Sequence, residues 1–453
     1  MTTTALPRPG TRRRTGLLAT AAAMADATPA DRNRVVDLLR AASILVVVTG
    51  HWLMAGMRVE DGQLVRDDVL EMAAWLHPLT WVLQVMPVFF LVGGYANALS
   101  WRSARSRGET YGGWLRARLR RLTLPVVPLM LFWAAFAPLA SAVGLGDGFL
   151  RTTTAAALVP TWFLAAYVVV VALVPVTLAA WERLRWLSVG AALGAAALTD
   201  LVSIAGDLPA VGFLNYVFVW AGVHQLGYAW LDGALDSRAR RGGLAALGAV
   251  VLVALVVWGP YAVSMVGVTE HGVNNAYPTR VTLFALGLLQ AGVVLLAEPL
   301  LRALVAHRAA WTAVIVVNAR IMTLYLWHFT AMGLVLAGSL LLGGVGLHRE
   351  TLSPGWWTSR PLWLLVLTAV TLAVVAVMGT FEQPGADPRP APAPLRPVLA
   401  VVGLCASLGV LADVGIVAAV AGGTVVNWWL PLLPVAVLLL GGIARAPRRG
   451  HPA

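Results

Sequence analysis

Long apolar runs, separated by short stretches rich in arginine, proline or glycine, recur along the whole chain. A bilayer core about 30 Å thick is crossed by a helix of about 20 mostly apolar residues. Twelve segments predict such spans: 35–57, 79–100, 122–143, 158–180, 186–204, 211–231, 244–265, 279–300, 321–343, 361–380, 397–420 and 425–443. The fifth ends in the polar pair Thr199-Asp200, and the eleventh carries Asp413. Segment 302–320 is apolar in its middle but short and flanked by arginines, which predicts an interfacial or re-entrant helix. The pattern implies an all-α polytopic membrane protein. It divides into a flexible basic tail (1–34), a ten-span core (35–381), a stiff proline-rich linker (382–396), a further transmembrane hairpin (397–443) and a second basic tail (444–453). No internal repeat is visible. Arg12–Arg14 followed by LLATAAAMA has a faint signal-peptide look, but the apolar part is short and rich in Thr and Ala, and the segment reads as a cytoplasmic tail.

Composition agrees with this pattern. Hydrophobic residues make up 59% of the 453 and charged residues 12%, against about 25% charged in soluble domains. All 33 basic residues are arginine, so Schiff-base lysines and phosphate-loop lysines are excluded. The net charge of +12 is not a nucleic-acid signal, because the arginines sit in loops between spans. The single cysteine, Cys405, excludes an internal disulfide and lies in an apolar run. Arginines concentrate in the tails and in alternate loops: seven between Trp101 and Arg121, then Arg183, Arg185, Arg238–Arg241, Arg302–Arg320, Arg389, Arg396 and Arg445–Arg449. The intervening loops hold few, and the first of them, VEDGQLVRDDVLE, is acidic. By the positive-inside rule both termini are expected in the cytoplasm of a bacterial-type inner membrane.

Candidate chemistry begins in the first span. Arg40 and His51 are eleven residues apart. On a helix they fall within roughly 20° of one face and about 16 Å apart along the axis. Ionisable groups at membrane depth are costly and commonly line a pathway or a site. An arginine near a helix end also snorkels, and a lone histidine also simply bonds a neighbouring helix. In the second span, Phe89-Phe90 leads to Gly93-Gly94, Tyr95 and Asn97. Those glycines suit either close helix packing or an irregular cavity wall. YGGWLRARLRRLTLPVVP follows, with Arg118 and Arg121 on one helix face beside Arg116 and Arg120. Part of this charge sets topology. The excess suits a polyphosphate ligand or anionic lipid.

Taken together, these segments resemble the acyltransferase 3 family, integral-membrane proteins that move acyl groups, often acetyl, from cytoplasmic acyl-CoA to hydroxyls of glycans, lipids or small molecules. Arg40 to His51 resembles the family's arginine, ten residues, then histidine in the first span. Phe89-Phe90-Leu91-Val92-Gly93-Gly94 is similar to its FFxxSG segment, with glycine in place of the serine. Arg118-x-x-Arg121-Leu122-Thr123-Leu124-Pro125 resembles its arginine pair before a span. Trp162-Phe163-Leu164, NYVFVWAGVHQLGYAW and Tyr325–Phe329 are similar to its later spans. The likeness covers about 35–380 in family order, and ten core spans suit it. It implies an O-acyltransferase using acyl-CoA, acetyl-CoA foremost, as co-substrate. His51 is expected as general base with Arg40 below it, and Arg118, Arg121, Arg120 and Arg116 as holders of the donor phosphates.

The chemistry agrees with that expectation. Transfer from thioester to hydroxyl needs a base titrating near neutrality, and unperturbed imidazole does so at about 6.5. A large anionic donor should bind over the basic surface. Tyr95, Asn97, Trp162, His224 and His328 are expected near the substrates, although each has an ordinary packing explanation. No His, Cys and carboxylate spacing suggests a metal. Expected partners are acyl-CoA, the hydroxyl acceptor and membrane lipids. Two rival readings use the same residues. One is a transporter or flippase with an Arg40/His51 relay, which the missing six-span repeat disfavours. The other is a membrane acyltransferase of a different histidine-dependent family, working through His328.

Overall fold

The computed structural model describes residues 17–29, 31–60, 63–382, 385, 387, 389–420 and 423–444. Arg8, Arg12–Arg14 and Arg445–Arg449, arginines of the two basic tails, lie outside them. The chain opens with α1 (Leu17–Asp26) and α2 (Arg34–Met54), then the strands β1 (Ala55–Glu60) and β2 (Gln63–Asp68). Two short turns, α3 (Val69–Met72) and α4 (Thr80–Leu83), lead to α5 (Met86–Ser106), α6 (Tyr111–Thr123), α7 (Val126–Ala142), α8 (Asp147–Ala172) and α9 (Val174–Leu184). Next come α10 (Trp186–Ile204), α11 (Asn215–Leu231), α12 (Arg238–Trp258), the two-residue strands β3 (Thr269–Glu270) and β4 (Val273–Asn274), α13 (Val281–Leu296), α14 (Glu298–Ala306) and α15 (Arg308–Ala319). The chain closes with α16 (Ile321–Leu341), α17 (Pro354–Met378), α18 (Leu395–Val414), β5 (Val417–Val420), β6 (Gly423–Val426) and α19 (Leu432–Leu440).

Among the described residues, eight helical segments are long and apolar enough to cross a membrane, and the number rises to ten if each bent pair is one span. The bent pairs are α6 with α7, at 41°, and α13 with α14, at 55°. Two of the twelve expected spans fall short of that test. Helix α11 has 17 residues, and its side chains are buried on almost every face, as in a helix enclosed by others. Helix α19 has nine residues, about 13 Å, and cannot cross a 30 Å core. The rest of that predicted span is spent on the end of β6 and turns, and β5 takes the end of the predicted span before it. The predicted first span ends at Met54 rather than Met57, because Ala55 onward pairs with β2 in an antiparallel hairpin, Ala55 opposite Asp68.

Helices α5, α8, α11, α13 and α16 form the buried centre, while α10, α12 and α17 turn apolar side chains such as Val250, Leu198 and Leu365 outward, as lipid contact demands. The central contact between α5 and α11 is a glycine crossing. A Cβ at Gly94 would lie 1.9 Å from the His224 carbonyl oxygen, and one at Gly227 would lie 2.2 Å from that of Leu91. The polar end of α10 is explained in the same way. Buried Asp200 accepts hydrogen bonds from Asn215, Tyr261, Arg280 and the Val281 amide, tying together α10, α11 and α13.

The expected flexible tail contains a helix. Helix α1 packs on α15, with Arg308 bidentate to Asp26 at 2.8 Å and the Trp311 indole donating to Thr28 at 2.9 Å. Segment 302–320 forms parts of two short helices, α14 and α15, consistent with a segment too short to span. The linker lies along α6. Arg116 donates to the carbonyls of Pro390 and Arg389, and a Cβ at Gly112 would meet the Pro392 oxygen at 2.2 Å. Beyond it, α18 packs along α8 and α6, and α19 packs against α7, so the hairpin is part of the packed body.

Candidate active site

Helix α2 starts where the Asn33 side chain accepts the Val35 amide at 3.2 Å, an N-cap that satisfies one of the free first-turn donors. From there it carries Arg40 on the side of α1 and α15, and His51 in its last turn. Nδ1 of His51 lies 2.9 Å from Nε2 of His328 on α16. The two rings are nearly parallel, and Phe329 closes against His51 at 4.8 Å between centroids. Two indoles fix the register around this pair: Trp52 donates to the His328 carbonyl at 3.3 Å, and Trp363 of α17 donates to the Trp52 carbonyl at 3.1 Å.

The hydrogen-bond order assigns the protons. Nδ1 of His328 lies 2.6 Å from the Tyr325 carbonyl oxygen. A carbonyl only accepts, so this nitrogen bears hydrogen, and in a neutral ring its Nε2 is then the acceptor. Nδ1 of His51 must therefore donate to it, which leaves Nε2 of His51 with its lone pair. The chain carbonyl–imidazole–imidazole thus ends in a nitrogen able to accept a proton. His51 is half-buried and His328 fully buried.

Two clefts open on the opposite, basic side of the helices. One, of about 820 Å³, lies between α1, α15, α2 and the start of α16. The other, of about 660 Å³, lies between α2, α5 and α6. Both are of ligand-pocket size. Arg40 and Arg121 line both, and Arg118 lines the second. These three guanidinium groups repel one another, while Glu109 acts favourably on Arg118, and Glu382 and Asp37 on Arg121. Among the described residues neither Arg118 nor Arg121 forms an ion pair, while Arg40 has only Asp37, at 3.9 Å. Asp37 is held more closely by Arg32, at 2.8 Å. Glu382 caps α16 in the first cleft, accepting from the Met322 and Thr323 amides and the Thr323 hydroxyl. Burial raises its carboxyl above the ordinary carboxylate value, against the effect of those donors.

Helix α6 divides its arginines. Arg118 and Arg121 face the clefts, whereas Arg116 and Arg120 turn to the linker. Arg120 donates to the Ile443 carbonyl at 2.7 Å, and Asp387 stands 3.7 Å from both guanidinium groups. Tyr95 lines the second cleft and packs on Trp230, with ring centroids 4.9 Å apart. Asn97 lines the same cleft and donates to Tyr167 and to Nε2 of His224. With Nε2 accepting, Nδ1 of His224 donates to the Tyr228 hydroxyl at 2.9 Å. His224 is therefore fully bonded inside the helix bundle. Trp162 packs against Phe163 and Tyr216 and lines neither cleft.

Sequence reasoning missed Tyr167. A Cβ at Gly93 would meet its hydroxyl at 2.9 Å, so the tyrosine occupies the space that a side chain at position 93 would need. The offset of four residues from Phe163 was the available signal, since it places both on one face of α8. Phe89 and Tyr167 line the second cleft. Phe89 meets Phe163 at 5.1 Å, Phe163 meets Tyr325 at 5.5 Å, and Tyr325 reaches His328 at 6.2 Å. A wall of aromatic rings thus leads from the arginines to the histidine pair. No group of three or more His, Cys, Asp or Glu is placed to hold a metal ion among the described residues.

Many apolar helices around a histidine pair and an arginine-lined vestibule define a helical integral-membrane protein with a polar centre. A family model described as an acyltransferase domain matches residues 33–380. The chain belongs to this acyltransferase 3 family, and the match takes in α2 through α17 with both histidines and the cleft arginines. Comparison with curated proteins and with solved structures returns no significant match.

Proposed function

We propose that the protein is an O-acyltransferase of the plasma membrane, with both termini cytoplasmic. It moves an acyl group, acetyl foremost, from cytoplasmic acyl-CoA to a hydroxyl of a glycan, lipid or small molecule. The observation that carries this reading is the proton order through Tyr325, His328 and His51, which leaves Nε2 of His51 as an acceptor at the end of the aromatic wall. Arg118, Arg121 and Arg40 hold the donor's phosphates in the clefts, where neither Arg118 nor Arg121 forms an ion pair among the described residues. The donor's arm follows the rings of Phe89, Phe163 and Tyr325 over the roughly 16 Å that separate Arg40 from His51 along α2. Nε2 of His51 takes the proton of the acceptor hydroxyl as its oxygen attacks the thioester carbonyl carbon. The carbon–sulfur bond then breaks, and the departing thiolate receives that proton from the imidazolium. His328 acts through His51. It holds the tautomer and shares the charge that develops there, as the orienting member of a catalytic triad does.

The test is acetyl-CoA binding and turnover by the purified, detergent-solubilised protein. His51→Ala should bind the donor normally and lose turnover by about 10²–10⁴-fold, the usual contribution of a general base. His328→Gln should lower kcat by about tenfold and leave the donor KM unchanged, as expected of a positioning residue. Full activity in His51→Ala would remove the base from this scheme. Failure of the wild type to bind any acyl-CoA would remove the donor.

A further inference from the structure

Arg360, in the second turn of α17, has no carboxylate within ion-pairing distance among the described residues, although it is only 7% exposed. Its guanidinium lies over the Trp356 ring at 4.1 Å and near that of Trp363 at 5.3 Å. Its polar contacts are long: Nε to the Trp356 carbonyl at 3.3 Å and Nη2 to the Ser359 hydroxyl at 3.4 Å. The indole nitrogen of Trp356 is itself buried without a hydrogen-bond partner among the described residues. Arg349 donates to the Gly355 carbonyl, next to Trp356, and likewise lacks an acidic partner among the described residues. Two positive charges and an unbonded N–H donor therefore lie at the start of α17 and the loop before it, with no acidic ion-pair partner among the described residues. A buried cation is costly unless paired, and stacking on indoles offsets only part of that cost.

The location gives this spot a meaning. Helix α16 begins in the first basic cleft and α17 returns toward it, with Gly379 beside Arg320, so Arg360 sits at the end of the bundle away from the clefts. It is one turn from Trp363, whose indole bonds the carbonyl of Trp52, the neighbour of His51. The donor's phosphates have their own arginines at the other end.

We propose that Arg360, with Arg349 and the Trp356 indole N–H, binds a phosphate group on the side opposite the donor, and so selects a phosphate-bearing acceptor whose hydroxyl reaches His51. This rests on the acyltransferase reading above. A guanidinium fork with a second arginine and an unbonded indole N–H on the same stretch of chain matches phosphate chemistry. Such a phosphate could belong to the acceptor or to a bilayer headgroup.

The experiment uses the full chain carrying Arg118→Ala/Arg121→Ala, which removes the open arginines of the donor clefts, in phosphatidylcholine nanodiscs without donor. Inorganic pyrophosphate is titrated by calorimetry, and retention of added dioleoyl phosphatidate is read by native mass spectrometry. This background protein should bind both, and each further substitution is read against it. Arg360→Gln should bind about ten- to a hundredfold more weakly, the loss of one charge-assisted contact. Arg360→Lys should be intermediate, keeping charge but losing the fork. Trp356→Phe keeps the stacked ring and removes only the N–H; it should weaken binding several-fold, which a purely structural stacking role would not do. Unchanged binding in Arg360→Gln and Trp356→Phe overturns the site. Retention of phosphatidate with no affinity for pyrophosphate overturns the acceptor assignment and leaves a headgroup anchor. Because no donor is present, failure here is distinct from failure of the His51 scheme.

Discussion

The two faces of α6 carry the same residue type and treat it in opposite ways. On one face Arg118 and Arg121 line open clefts with no ion pair among the described residues. On the other, Arg116 and Arg120 are bonded to carbonyls of Arg389, Pro390 and Ile443 beside Asp387. A guanidinium already donating to backbone carbonyls has little left to offer a phosphate, whereas one facing an open cleft retains its donors. The difference teaches that a basic run before a membrane helix is not one feature. Positions 118 and 121, three apart, share one face, while 116 and 120, four apart, share another.

The sharpest way to break this comparison is to remove each pair separately. Arg118→Ala/Arg121→Ala should raise the apparent Kd for acetyl-CoA by about a hundredfold or more, two charge-assisted phosphate contacts being lost. Equilibrium binding to the solubilised protein measures it. If Arg116→Ala/Arg120→Ala weakened donor binding as much, the division of α6 into two faces would fail.

The second pair has its own, smaller signature. Arg120 is buried and its Ile443 bond ties α6 to the C-terminal hairpin. Arg120→Ala should cost about 2 kcal/mol, the usual loss for a buried bond to a charged donor. The readout is a fall of a few degrees in the unfolding temperature of the solubilised protein, with donor affinity unchanged.

How much of this was legible in the chain follows from the same logic. Apolar run length places most membrane helices, because the bilayer sets it. It misplaces the end of α2 and the last hairpin, where short strand pairs use apolar residues that also suit a helix. Arg40 and His51 were legible through helical spacing, and LYLWHF through resemblance. The His51–His328 bond was not, because it joins residues 277 apart in sequence and no local pattern records such a contact. The same holds for Tyr167 beside Gly93, and for Asn97 against His224 across two helices. The fate of Arg116 and Arg120 was hidden for another reason: their partners are backbone carbonyls, which every sequence contains.

A third clamped arginine tests the comparison at its weakest point. Arg308 holds Asp26 with both side chains exposed, joining α1 to α15 on the wall of the first cleft. The Arg308 hydrogen bond, with its charge, keeps the Asp26 carboxyl below the ordinary carboxylate value. A carboxylate whose folded-state pKa is depressed contributes stability above its unfolded value, about 3.9, and loses it as the pH falls through the lowered one. Docking of α1 should therefore be insensitive to pH near neutrality and loosen only in strong acid. An exposed ion pair is screened by salt and contributes little. Asp26→Asn should thus give only a slight rise in amide exchange along α1 at neutral pH, and remove the acid dependence. Were Asp26→Asn instead to release α1 altogether and change donor affinity, the clamped arginines would belong to the donor site as much as the open ones.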